Sequence, residues 1–143
     1  MTFNNIIRDK LSFFYLCLVG SLALHVIDET INHFLDFYNP LVLKLREYLT
    51  IFPFPTFRFK TWISGLILLI IILLIITPFV YHRHKIILLV TKIFAVLMIF
   101  NGLGHFVSSI YYSRVMAGML SSPILIFFSI FYIYQVQMSY RSN

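Results

Sequence analysis

Apolar and polar positions along the chain separate into four long apolar segments divided by short polar breaks. Crossing ~30 Å of hydrocarbon takes about 20 apolar residues as a helix. The first segment covers residues 11–33, apolar from Leu11 to Val26 and helix-compatible but more polar to about Asp36. The second, residues 61–80, reads TWISGLILLIIILLIITPFV and carries no charge. The third covers residues 86–112 and the fourth residues 115–136. None alternates with period two, and lipid admits only helices or closed barrels. The pattern therefore predicts an all-α, polytopic membrane protein: one domain, folded as a four-helix transmembrane bundle in up-and-down order.

The connection over residues 37–60 holds Pro40, Pro53 and Pro55, which are expected to end or interrupt helices. Between them, LVLKLREYLTI (residues 41–51) places Leu41, Leu45, Tyr48 and Leu49 on one face and Lys44, Glu47 and Thr50 on another. That predicts a short interfacial helix. Pro123 falls inside the predicted fourth helix and is expected to bend it. Arg8 and Lys10 ahead of an apolar run, with Ser21 and Ala23 beyond it, have the outline of a signal peptide. The helical pattern runs through that supposed cleavage site, so the segment reads as a membrane helix.

Composition decides the solvent. Of 143 residues, 60% are hydrophobic and 11% charged, and mean hydropathy is +0.91, whereas a soluble domain carries roughly 25% charged residues. Disorder, a coiled coil, a disulfide scaffold and an ordinary cytosolic enzyme are excluded. The net charge of +6 comes from basic residues scattered beside apolar runs, which read as anchors to anionic headgroups rather than as a nucleic-acid surface. Cys17, the single cysteine, permits no intrachain disulfide. The sixteen Phe and nine Tyr read as lipid contact and interfacial belt. With the N-terminus inside, Arg8, Lys10, Arg83, Lys85, Lys92 and Arg141 face Lys44, Arg46, Arg58, Lys60 and Arg114 across the bilayer. That small excess places the N-terminus inside.

Ionisable residues inside membrane segments are costly and mark function. In the first segment His25, Glu29, His33 and Asp36 follow at steps of four, four and three, with Asn32 on the same side and Asp28 beside Glu29. In the third, Asn101, His105, Ser108 and Tyr112 follow at four, three and four. The two segments run in the same direction, so His25, Glu29, Asn101 and His105 are expected in one leaflet, in one pocket. His33 and Asp36 are expected at the headgroups. His82 and His84 form an H-x-H pair that reads as a basic interfacial turn rather than a metal site. Gly102, Gly104, Ala117, Gly118, Ser121 and Ser122 cluster at the same end and predict close helix approach.

These residues carry a resemblance. His25-Val26-Ile27-Asp28-Glu29 resembles the signature of the HXXEE family of small bacterial membrane proteins, with Asp28 in place of the first glutamate. Asn101-Gly102-Leu103-Gly104-His105, followed by Arg114 and Ala117-Gly118, resembles that family's second block, in which an Asn and a His precede an Arg and a Pro-Gly; Ala117 replaces the proline. The resemblance implies a four-helix membrane unit and supports the site residues, and it implies no reaction. Which of Asp28 and Glu29 supplies the operative oxygen stays open.

Three mechanisms fit this residue set. His25, Glu29 and His105 can bind a divalent transition metal, zinc or iron, with Asn101 and Asp28 orienting the imidazoles. Without a metal, His25, Asp28, Glu29, Asn101 and His105 can form an acid/base pocket for a lipid or other hydrophobic substrate. The third reading is non-catalytic: binding a ligand or cation, or holding the bundle together. No nucleophilic Ser or Cys pair, phosphate loop or haem pattern is present.

Overall fold

The computed structural model describes residues 3–49 and 54–141. Six helices follow in order: α1 (Phe3–Ile31), α2 (Phe34–Tyr48), α3 (Phe59–Ile75), α4 (Thr77–Tyr81), α5 (Lys85–Tyr111) and α6 (Ser122–Arg141). No strand occurs among the described residues. Three of these helices are long and apolar enough to cross a membrane: Asp9–Ile31 within α1, Lys85–Tyr111 and Ser122–Arg141. Their outward faces are apolar, with Leu24, Leu89, Ile93, Leu97 and Phe127 all exposed. The protein is an all-helical membrane protein.

The predicted second segment is divided. Helix α3 is apolar but 17 residues long, about 25 Å at 1.5 Å per residue. Pro78 supplies no N–H for the carbonyl one turn back, and the helix breaks at Ile76 before resuming as α4. The buried Tyr15 hydroxyl donates to the Leu73 carbonyl at 2.8 Å, across from α1. Thr77 Oγ1 adds a longer bond to the same carbonyl at 3.4 Å. A backbone group exposed by the break is thereby paired inside the bundle.

Other boundaries also depart from the sequence pattern. α1 stops at Ile31, short of residue 33, where the His33 N–H bonds the Thr30 carbonyl at 3.4 Å instead of the carbonyl four residues back. His33 then adopts a left-handed conformation, φ 53°. Pro40 does not stop a helix: α2 runs through it, beginning seven residues before the expected interfacial helix at Leu41. Residues 50 and 51 of that expected helix, Pro53 and the side chain of Arg8 lie outside the described residues. The fourth helix begins at Ser122 rather than 115, so Pro123 sits in its first turn, where proline is tolerated, and bends nothing. Residues 112–121 form turns instead. There α5 ends in a paired motif, Arg114 N–H to Ser109 O at 3.1 Å and Ser113 N–H to Ile110 O at 3.1 Å, with Ser113 left-handed at φ 51°.

Helix α1 is the hub. Leu11, Tyr15, Leu18, Val19, Leu22 and Val26 form its buried stripe, and it packs against α6 on one side and α3 and α4 on the other. Helix α6 lies between α1 and α5. The α5–α6 approach is close at Gly102, where a β-carbon would fall 2.7 Å from the Ile126 side chain. α3 and α5 have no comparable mutual packing, and a cavity opens at their seam.

Replacing Tyr15 by phenylalanine keeps the packing but leaves the buried Leu73 carbonyl without its short partner. The expected cost is about 1–3 kcal/mol, read as a lowered midpoint in thermal unfolding of the detergent-purified protein. An unchanged midpoint would show that the bond does not hold α1 to α3.

Candidate functional site

The five residues singled out by the two polar stripes meet at one depth. His25, Glu29 and His105 are buried, at 1%, 6% and 7% exposure. Glu29 Oε1 lies 3.1 Å from His105 Nε2 and 3.6 Å from His25 Nε2. The two imidazoles meet edge-to-face with centroids 4.8 Å apart. Four-residue spacing on α1 stacks His25 above Glu29, and α5 delivers Asn101 and His105 by the same spacing.

Asp28 plays a different part from Glu29. Its Oδ2 accepts from the Ser121 N–H at 2.9 Å and from the Ser121 hydroxyl at 2.6 Å. Its Oδ1 accepts from the Asn32 amide at 2.7 Å. Three donors and no acceptor around one group is the pattern of a carboxylate whose oxygens are spoken for. Ser121 opens α6, with Leu125 N–H bonding its carbonyl at 3.1 Å. Asp28 therefore sits against a helix N-terminus, where negative charge is favoured.

Ser121 continues the chain of bonds to His25. Its hydroxyl lies 2.8 Å from His25 Nδ1. Because the hydroxyl hydrogen goes to Asp28, Nδ1–H is the donor and His25 Nε2 carries the lone pair. Asn101 Nδ2 donates to that Nε2 at 3.0 Å. The Asp28–Ser121–His25 relay thus fixes both the ring's orientation and its tautomer. Ser121 was read from the sequence only as a small residue permitting close approach; Ser-Ser-Pro ahead of an apolar run is also a helix-start signature, and that signal points to it.

The ring of His105 is held by sterics. Gly118 is left-handed, φ 81°, and a β-carbon there would lie 2.6 Å from His105 Cε1. Phe34 closes the opposite approach at a centroid distance of 5.6 Å. Gly104, grouped with the close-packing residues by its sequence position, is exposed with nothing within 4 Å of a β-carbon. It packs against nothing.

His33 and Asp36 do not join the cluster. The break after Ile31 takes them off the α1 stripe, and both are exposed. His82 and His84 likewise form no metal-competent group: His25, Glu29 and His105 are the one such set among the described residues, with ligand atoms within 4.8 Å of one another. A cavity of about 260 Å³ leads from the α3–α5 seam to this set, lined by Leu66, Leu69 and Met98 and ending on His25, Glu29 and Asn101. Tyr38 and Phe57 roof it, because Asn39 pairs with both the N–H and the carbonyl of Phe57 at 3.0 and 2.9 Å. Tyr38, Phe54 and Phe57 thus cover part of the pocket.

Compared with protein-family models, curated proteins and solved structures, the chain matches none.

Gly118→Ala is expected to cost at least about 2 kcal/mol, combining a left-handed alanine with a clash against His105. The check is thermal unfolding together with the His105 imidazole resonances, which should shift. A variant with wild-type stability and unshifted resonances would refute this packing.

Proposed function

We propose that this chain is a membrane-embedded enzyme acting on a lipid or other hydrophobic substrate, with a divalent transition metal, zinc or iron, held by His25, Glu29 and His105. One observation carries the reading: two imidazole nitrogens and a carboxylate oxygen, all buried, lie within 4.8 Å of one another. Bonds of about 2.0–2.1 Å to a metal set ligand-to-ligand edges of roughly 3.0 Å in an octahedron and 3.4 Å in a tetrahedron. The Glu29 edges, 3.1 and 3.6 Å, fall around those values. The third edge, between the imidazole nitrogens, must close from as much as 4.8 Å as the side chains draw in.

Two imidazoles and one carboxylate leave coordination positions open, as non-haem iron(II) enzymes and zinc hydrolases require. A metal so held supplies Lewis acidity or an activated water. The chain's own contribution is orientation. Asp28, through Ser121, keeps the proton on His25 Nδ1 and presents Nε2 as a ligand, the outer-shell support that metal-bound histidines receive. Asn101 gives up its bond to Nε2 when the ligand position is used. The apolar cavity admits a substrate from the lipid and excludes water around the cluster.

His25, Glu29, Asn101 and His105, which carry much of the HXXEE resemblance, meet in this cluster, and that supports including the chain with that family. In this reading α3 and α4 together make a fourth crossing, with the N-terminus inside a bacterial plasma membrane.

A second, metal-free reading has its own observation. Asn101 already occupies His25 Nε2 at 3.0 Å, leaving Glu29 and His105, 3.1 Å apart, as a pair able to share and deliver a proton to an apolar substrate.

Detergent-purified protein is expected to hold about one equivalent of zinc or iron, lost in His25→Ala and His105→Ala with helical content retained. Elemental analysis of folded protein free of metal after growth with both metals would sink the metal reading. Under the acid/base reading, Glu29→Gln abolishes turnover while thermal stability stays equal or rises, because an ionisable group leaves the membrane interior. Turnover surviving that substitution would exclude it.

A further inference from the structure

A second, larger cavity of about 430 Å³ lies between α2 and the turns joining α5 to α6. Its charged walls are Lys44 from α2, Arg114 from the turns, and Asp36. Neither cation has an ion-pair partner within 4.0 Å among the described residues; the His25–Glu29 and His105–Glu29 contacts are the ion pairs found there. Arg114 is steadied at its Nε by Met116 Sδ at 3.2 Å, which leaves its terminal nitrogens available. Two cations against one carboxylate give the cavity a net charge of +1, suited to a ligand with a single negative charge. The floor is apolar, with Phe37, Leu41 and Met116. A cationic rim over an apolar floor fits the junction between a headgroup and its chains.

The cavity does not stand alone. His33 and Asp36 also line a smaller cavity of about 220 Å³, whose far wall is Glu29, Phe34 and Trp62. Those last three residues in turn line the apolar cavity at the α3–α5 seam. The three cavities thus share walls in series, from the two cations, past Glu29, to an apolar chamber.

We infer that the outer cavity binds the phosphodiester headgroup of a membrane lipid through Lys44 and Arg114, and that such a lipid, its chain passing Trp62, is the substrate class of the buried cluster. The second clause rests on the enzymatic reading of His25, Glu29 and His105; the headgroup site does not. A phosphodiester carries one negative charge and matches the cavity. A phosphomonoester approaches two and meets Asp36 as well.

The test uses the full chain in a neutral detergent, with dihexanoyl-phosphatidylglycerol as the probe and two readouts: calorimetric binding, and emission of Trp62, the single tryptophan. Saturable binding is expected, with a shift in Trp62 emission. Lys44→Gln with Arg114→Gln should weaken it on the order of tenfold or more, as expected for two basic residues at a membrane surface. Arg58→Gln with Lys60→Gln, an exposed basic pair outside the cavity, should leave it unchanged. Dihexanoylglycerol, which lacks the phosphate, should bind far more weakly.

Equal weakening in both double variants would overturn the site, since it would mean general attraction to the protein's positive charge. Glycerophosphoglycerol, the same diester without its chains, binding as tightly as the lipid would overturn the lipid assignment, and unshifted Trp62 emission would overturn the path of the chain. Tighter binding of dihexanoyl-phosphatidic acid would overturn the charge match. Metal is measured on the same samples. Metal-free protein that still binds the diester through Lys44 and Arg114 removes the cluster's metal and leaves the headgroup site standing; metal-loaded protein that does not bind it overturns the headgroup site alone.

Discussion

The contact between Asp28 and Ser121 is the constraint on which the rest of the arrangement depends. Hydrocarbon offers no water to satisfy a polar atom, so every one inside the bundle must find its partner in the protein. Asp28 does so at the start of α6, taking both the backbone N–H and the hydroxyl of one residue. A slip of α6 by one residue would remove both donors at once. With that register set, Ser121 reaches His25, His25 reaches Asn101, and Glu29 reaches His105. Three helices are thereby aligned by bonds that begin at a single carboxylate. The contacts that align the bundle are also those that orient the cluster, so folding and site geometry are one problem here.

Much of this was legible in the residue pattern. Charge is so scarce in the chain that two helical stripes with polar residues at spacings of three and four stood out, and His25, Asp28, Glu29, Asn101 and His105 do converge. The third segment, predicted as 86–112, is α5 at Lys85–Tyr111. Periodicity reports a helix but not where the backbone leaves it. At His33 the chain turns left-handed, and the stripe therefore stops at Glu29 while His33 and Asp36 line the neighbouring cavities. Pro40 was read as a breaker, yet α2 continues through it. Pro123 was read as a kink, yet it lies in a first turn, where its missing N–H costs no helical bond. Ser121 carries a helix-start signature, but its partner Asp28 is 93 residues away, a pairing no local pattern contains.

Glu29 borders two different environments. On one side is the chamber of Leu66, Leu69 and Met98; on the other is a smaller cavity shared with His33 and Asp36. Phe34 and Trp62, with centroids 5.9 Å apart, stand between them. The sparse packing of α3 against α5 leaves the seam between them open in a bundle otherwise closely packed around α1.

That position 28 is an aspartate also has a physical account. The aspartate is anchored at both oxygens: Oδ2 by two bonds from Ser121, Oδ1 by Asn32 one turn further along α1. This arrangement needs a carboxylate held close to its own helix, so that Asn32 reaches one oxygen while the other meets the head of α6. A glutamate would carry its oxygens one methylene further out, into the space Ser121 occupies, and would have to fold back or displace α6. Glu29, by contrast, must extend from α1 to meet His105 on α5 at 3.1 Å, a reach for which the extra methylene is suited. Adjacent carboxylates of different length thus divide two tasks: the shorter fixes the position of a helix and the tautomer of His25, and the longer joins the two histidines. Both oxygens of Asp28 are held by neutral donors, and the carboxylate oxygen that lies near both histidines is that of Glu29.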